Sequence, residues 1–134
     1  GVPVRHISTS FLPTDLGLLD WQEPNFSIRI SAPERAILEC LDHAPKEFDL
    51  MECYKVMESL VNLRPDTVTQ LLKQCTSVKA KRLFLYLAEK ANHHWLPFVN
   101  TTGLDLGSGG RSLSKGGVYV AKYNLVVPRE LASP

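Results

Sequence analysis

The chain has 134 residues, 15 Lys+Arg against 14 Asp+Glu, 44% hydrophobic and 22% charged, the profile of one soluble globular domain long enough to build a core without metals or disulfides. Its formal charge of +1 excludes an acidic tail protein and, taken whole, argues against a dedicated nucleic-acid binder. The longest apolar runs, such as Leu83 to Ala88, stop after six residues, too short for a membrane span.

In chain order, Val2 to Leu19 mixes short apolar pairs with Pro3, Pro13 and Gly17, the pattern of brief extended segments broken by turns. The chain opens on Gly1 without a basic stretch or apolar stretch behind it, so no signal peptide is expected and the sequence reads as a fragment of a longer protein. Phe26, Ile28 and Ile30 alternate with Ser27 and Arg29, a period of two that predicts a half-buried strand. Ser31-Ala32-Pro33-Glu34 has the spacing of a capping box, and predicts a helix from Pro33 to about Ala44 with a stripe of Ile37, Leu38, Leu41 and Ala44, ended by Pro45. Asp49 to Glu52 is a second box, opening a helix to about Asn62 that buries Leu50, Cys53, Tyr54, Met57, Leu60 and Val61.

Pro65 starts a third helix, with Val68, Leu71, Leu72 and Cys75 inward. A fourth runs from about Ser77 to Asn92, and its Leu83 to Leu87 segment is apolar all round, which marks it as central. Trp95, Leu96 and Phe98 form an expected hydrophobic clamp. Residues 103 to 117 hold six of the eight glycines, separating Leu104 and Leu106 from the β-rich run Val118 to Val127, as in a glycine-rich hairpin joining short strands.

Few of these residues carry catalytic signatures. The run Gly107-Ser108-Gly109-Gly110-Arg111 invites a phosphate-cradle reading, but it leads toward a strand and lacks G-x-x-x-x-G-K-[ST], so a hairpin turn is favoured. His93 and His94 fall at a helix C-terminus, where capping is the simple reading. Cys40, His43, Cys53 and Cys75 are the remaining collection of metal-ligand types, yet the cysteines occupy apolar stripes and lack C-x-x-C spacing, which suits free thiols in a reducing cytoplasm. His6 and His43 have no convincing neighbours. No nucleophile motif is present, so the chain is read as a non-enzyme with no cofactor and no metal.

Charge patterning overturns the neutral total. Residues 1 to 76 carry 7 Lys+Arg against 11 Asp+Glu, a net of −4, whereas residues 77 to 134 carry 8 against 3, a net of +5. Lys79, Lys81 and Arg82 open the fourth helix, against its dipole preference, and Arg111, Lys115, Lys122 and Arg129 decorate the glycine-rich hairpin and last strand. Either these cations meet a polyanion or they are a solvated basic face. The helices on either side of Asn62 to Arg64 also have the length of a helix-turn-helix with the glycine hairpin as wing, although Asp66 and the lack of a cation before Lys73 make a poor recognition helix.

The strings Ser31-Ala-Pro-Glu-Arg-Ala-Ile-Leu-Glu39, Leu63-Arg-Pro-Asp-Thr67, Ser77-Val-Lys-Ala-Lys-Arg-Leu-Phe-Leu-Tyr-Leu-Ala-Glu89 and Lys122-Tyr-Asn-Leu-Val-Val-Pro-Arg-Glu-Leu131 together resemble the C-terminal domain of AbiEi-family antitoxins. The resemblance implies a regulator of a bacterial type IV toxin-antitoxin, abortive-infection operon. It implies as partners the promoter DNA and a nucleotidyltransferase toxin, counteracted without a stable complex. It also implies a separate N-terminal winged helix-turn-helix that this sequence does not include, so that DNA binding by this part alone is expected to be weak and non-specific. Lys79, Lys81, Arg82, Arg111, Lys115 and Lys122 are the expected nucleic-acid-binding residues, with promoter phosphates or the RNA on which the toxin acts as the polyanion. The expected fold is α+β in one domain spanning residues 1–134: about four helices within residues 33–92, packed with a small sheet formed by N-terminal and C-terminal strands.

Overall fold

The alternating residues do form a strand. In the computed structural model, which describes residues 18–23 and 26–132, β1 (Leu18–Glu23) and β2 (Phe26–Ser31) pair antiparallel, with Trp21 opposite Ile28. His6 and most of the expected extended segment from Val2 lie outside the described residues. A single residue, Ala32, joins β2 to α1 (Pro33–His43). Pro33 sits in the first helical turn, where its missing N–H costs nothing and its fixed φ sets the helix going. The expected box is therefore corrected. Ala32 is the N-cap without a side-chain bond, and Glu34, one position too early to reach back to a cap, turns toward Arg64.

That turn ties two helices together. The Glu34 carboxylate accepts the Arg64 backbone N–H at 3.0 Å and its Nη2 at 2.9 Å, and Arg64 is the N-cap of α3 (Pro65–Gln74). Glu34 is only 3% exposed. Burial alone would raise its pKa, but the bonds from the Arg64 side chain and backbone outweigh that and hold the carboxyl below its ordinary value.

Helix α2 (Leu50–Ser59) stops three residues short of the expected Asn62, and Val61 is exposed. The reason lies in the chain beyond α4 (Val78–Ala91). His93 Nε2 donates to the carbonyl of Met57 at 2.5 Å, Trp95 Nε1 to that of Leu60 at 2.8 Å and His94 Nε2 to that of Val61 at 2.7 Å. Three side chains thus bond carbonyls at the helix end, that of Met57 also accepting the Leu60 N–H. The two histidines cap α2, not the α4 end on which they sit. His93 also stacks on Trp95, ring centroids 4.9 Å apart, and Trp95 packs against Phe84. The clamp reading holds for Trp95, but Phe98 is 73% exposed in a short 3-10 turn, Leu96–Phe98.

Helix α4 is central, as its all-round apolar segment implies: Ala80 to Leu85, Leu87 and Ala88 are buried, and it packs on both α1 and α2. Ser77 caps it by accepting from the Ala80 N–H at 3.2 Å while donating to Asp42 Oδ1 at 2.7 Å. Asn92, at φ 56°, ends it in the left-handed region.

The C-terminal part folds as β3 (Arg111–Ser112), β4 (Val118–Val120), β5 (Leu125–Val127) and α5 (Arg129–Ala132). Strand β5 lies in the middle, parallel to β3 and antiparallel to β4. The protein is α+β, four main helices with small sheets. The expectation that N-terminal and C-terminal strands share one sheet is corrected: among the described residues β1 and β2 close on each other, and both edges of β5 are occupied by near neighbours in sequence, the cheaper closure in chain entropy. Leu104 and Leu106, expected to lie on a strand, sit half-buried in the loop before β3.

A depressed carboxylate pKa stabilises the fold above the unfolded value, and the stabilisation is lost as pH falls through the folded value. The Glu34 contribution should therefore be present at neutral pH and disappear on acidification below 4.5, its ordinary value. Glu34→Gln should cost about 1–2 kcal/mol at pH 7, a range kept low because the Arg64 guanidinium is solvent-facing, and should flatten the acid limb of stability measured by urea denaturation across pH 3–7.

Candidate nucleic-acid interface

The six expected cations divide into two groups. Those on α4 point inward. Lys79 Nζ donates to the carbonyls of Asp42 and Ala44, at 2.6 and 2.7 Å, where α1 ends. Lys81 is 4% exposed beside the Cys75 thiol, and Arg82 is 3% exposed. Arg82 Nε donates to the carbonyl of Leu106 at 2.7 Å, and its Nη1 reaches that of Asn124 at 3.5 Å. The expectation that Lys81 and Arg82 belong to a basic surface is corrected: a helix packed on several sides has no outer face on which to display its first two turns. The signal was in the sequence, because cations that oppose the helix dipole and adjoin an all-apolar segment need partners elsewhere in the fold.

The cations of the C-terminal part are outside. Arg111, Lys115 and Lys122 are all exposed. Lys122 is engaged, its Nζ 2.6 Å from Glu89 Oε1, while the other carboxylate oxygen of Glu89 accepts from the Tyr123 hydroxyl. Burial opposes the Glu89 charge, but Lys122 and Tyr123 together lower its pKa, and burial with the same carboxylate raises that of Tyr123. Arg111 and Lys115 make no ion pair among the described residues.

Local geometry fixes where these two stand. The Arg111 backbone N–H donates to the carbonyl of Asn124 at 3.0 Å, which sets it beside the β4–β5 turn. Lys115 precedes Gly116, at φ +67°, and Gly117, where a Cβ would come within 2.1 Å of the Val127 carbonyl oxygen. Only glycine lets the loop lie that close to β5. Arg129 Nε donates to the Gly116 carbonyl at 3.2 Å, so it stands at the Lys115 end of the sheet. The sheet carries cations at both ends, on a backbone held by its own hydrogen bonds.

A family model described as transcriptional regulator, AbiEi antitoxin, type IV toxin-antitoxin system matches residues 1–128. The chain belongs to the AbiEi family. Comparisons with curated proteins and with solved structures return no match. Membership makes the protein an antitoxin and transcriptional regulator of a type IV system, and in this AbiEi chain exposed cations stand both on the C-terminal part, at Arg111, Lys115, Lys122 and Arg129, and among the helices, at Lys46, Lys55, Arg64 and Lys73.

Other chemistry in this AbiEi chain is muted. Among the described residues no group of three or more His, Cys, Asp or Glu is placed to hold a metal ion, and no helix is long and apolar enough to cross a membrane. Cys40, Cys53 and Cys75 are free thiols, Cys40 and Cys53 with their sulfurs 3.4 Å apart. Burial and the neighbouring Cys40 push the Cys53 thiol up to about 12, the opposite of an activated nucleophile. His43 faces Glu47 at 3.2 Å. In α3, Gln70, Lys73 and Gln74 are exposed, while Thr69 Oγ1 accepts from the Asn100 N–H at 3.0 Å.

Removing Arg82 would take the donor from the Leu106 carbonyl and the long bond from that of Asn124, which keeps the Arg111 N–H. Arg82→Ala should cost about 2–4 kcal/mol in chemical denaturation, with hydrogen exchange accelerating across residues 111–127 well before it does in α1 or α2. Uniform acceleration over all helices would show that Arg82 does not tie the sheet to α4.

Proposed function

We propose that this domain assists promoter binding in autoregulation through Arg111 and Lys115, and that it counteracts a nucleotidyltransferase toxin in the cytoplasm without forming a stable complex and without catalysing a reaction of its own. The observation that carries the DNA contact is that these two cations are exposed, are free of ion pairs among the described residues, and stand close together in the chain, Arg111 on β3 and Lys115 in the turn that leads to β4. Cations in that state neutralise phosphates without first breaking an internal bridge, and the contact is sequence-independent. Lys122, tied to Glu89, would have to give up that pair to join them. The same wing would serve RNA phosphates, so a gel-shift series with both nucleic acids decides which polyanion it meets.

Two phosphate contacts correspond to a slope of about −1.8 in log affinity against log salt on duplex DNA. Arg111→Glu with Lys115→Glu should therefore abolish binding at low salt and, in the protein carrying its promoter reader, flatten the salt dependence by about two contacts, while leaving thermal stability unchanged. Repression of a promoter reporter should fall in step. Unaltered salt dependence in the folded double variant would remove the wing from the interface. Charge reversal at Lys81 or Arg82 is no substitute, since those side chains are buried.

A further inference from the structure

We infer that the hollow between α4 and the glycine-rich loop is a binding site for a nucleoside monophosphate, with Arg82 and Ser108 receiving the phosphate and the adjoining cavity receiving the nucleoside. The starting point is a charge without a counter-charge. Arg82 is buried, yet among the described residues no carboxylate pairs with it. Among the described residues its acceptors are two backbone carbonyls, reached by Nε at 2.7 Å and by Nη1 at the long distance of 3.5 Å, and neither engages Nη2. A guanidinium taken out of water normally recovers its solvation from a carboxylate or phosphate, which matches its fork with two acceptor oxygens.

The fold leaves that free side of the guanidinium open. A cavity of about 130 Å³ is lined by Arg82, Gly107, Ser108, Lys122 and Asn124. Gly107, at φ +72°, passes directly over it: a Cβ there would lie 3.4 Å from Arg82 Nη2 and 3.0 Å from Val78 Cγ1. Any other residue would cover the group. Asp105 takes the Gly107 N–H at 2.9 Å, so the polar partners on the loop side are the Ser108 hydroxyl and the amides that follow it. The buried guanidinium, not the loop, is what selects an anion.

A second cavity, about 580 Å³, shares Leu106, Lys122 and Tyr123 with the first. Its size falls in the range of small-molecule sites, which are mostly apolar with a few placed polar groups. Leu85, Leu96 and Val99 supply aliphatic walls suited to a flat base, and Glu89 supplies an acceptor for hydroxyls. The Glu89 charge would repel a phosphate from this cavity, which leaves the phosphate to the Arg82 side and sets the ligand's direction.

The test is titration calorimetry of the chain with the four ribonucleoside monophosphates, the matching nucleosides and inorganic phosphate, repeated on Ser108→Asp. Ser108 is exposed and its carboxylate replacement adds charge at the cavity wall without entering the core, so folding is preserved and checked by circular dichroism. At least one monophosphate should bind, at least tenfold tighter than its nucleoside or phosphate, and Ser108→Asp should weaken it at least tenfold. No binding at millimolar concentration, equal affinity for inorganic phosphate, or an unaffected variant would each overturn the inference. Loss of DNA affinity in Ser108→Asp without any nucleotide binding would also overturn it, by assigning the hollow to a backbone phosphate. The outcome is separable from the wing proposal, which rests on Arg111 and Lys115.

Discussion

A guanidinium buried in the middle of the molecule has to be solvated by the protein itself, and much of this fold can be understood as meeting that requirement at Arg82. The side chain leaves α4 and reaches carbonyls in two segments that are 18 residues apart, the loop at Leu106 and the turn at Asn124. The turn is also tied to α4 through Lys122 and Tyr123, both bonded to Glu89, whereas the loop at Leu106 has fewer such ties. The loop between the 3-10 turn and β3 is largely exposed, and each strand of the three-stranded sheet is two or three residues long. Short strands supply little independent stability. What orders them is the apolar inner face of β5, with Leu125 and Val127 fully buried, together with a cation that holds both segments against α4.

The same device recurs with different groups. Lys79 serves the carbonyls where α1 ends, His93, His94 and Trp95 serve those where α2 ends, and Glu34 serves the N–H where α3 begins. Each is a polar side chain from one element, or from the turn that follows it, bonding backbone at the end of another. Helix ends leave unpaired donors and acceptors by geometry, and in a bundle of four short helices such ends are a large share of the backbone. Side-chain bonds across elements convert that cost into orientation, since the donor N–H must point closely at the carbonyl oxygen for the bond to keep its strength.

This device also explains which features were legible in the sequence. Periodicity placed β2 and all four main helices, and the prolines at 33 and 65 marked helix starts within a residue, because each of those signals is local. The interior was equally readable where a stripe was apolar, as at Val68, Leu71 and Leu72. Capping boxes misled because they assume that a polar side chain serves its own helix, whereas Glu34 serves α3 and the histidines serve α2. Phe98 misled in the other direction, a large apolar residue left outside while its neighbour Trp95 filled the space. The partition of strands into two sheets was invisible for the reason that pairing is a contact between segments, and composition says nothing of which edges are already occupied.

Charge followed the same logic, and it bears on function. The second part of the chain carries an excess of five positive charges, which from sequence alone reads as a single basic face. Folding divides them. Lys79, Lys81 and Arg82 bond or pack inside the fold, Lys122 is held by Glu89, and of the six cations Arg111 and Lys115 are left exposed and without an ion pair among the described residues. In the proposed contact, two such cations would give a modest electrostatic attraction for nucleic acid, since each contact contributes in proportion to the counterions it releases. A buried cation is less screened by solvent than an exposed one, and Arg82, buried, lines a cavity. The guanidinium of Arg82 is therefore directed at a cavity, apart from the exposed surface on which Arg111 and Lys115 stand.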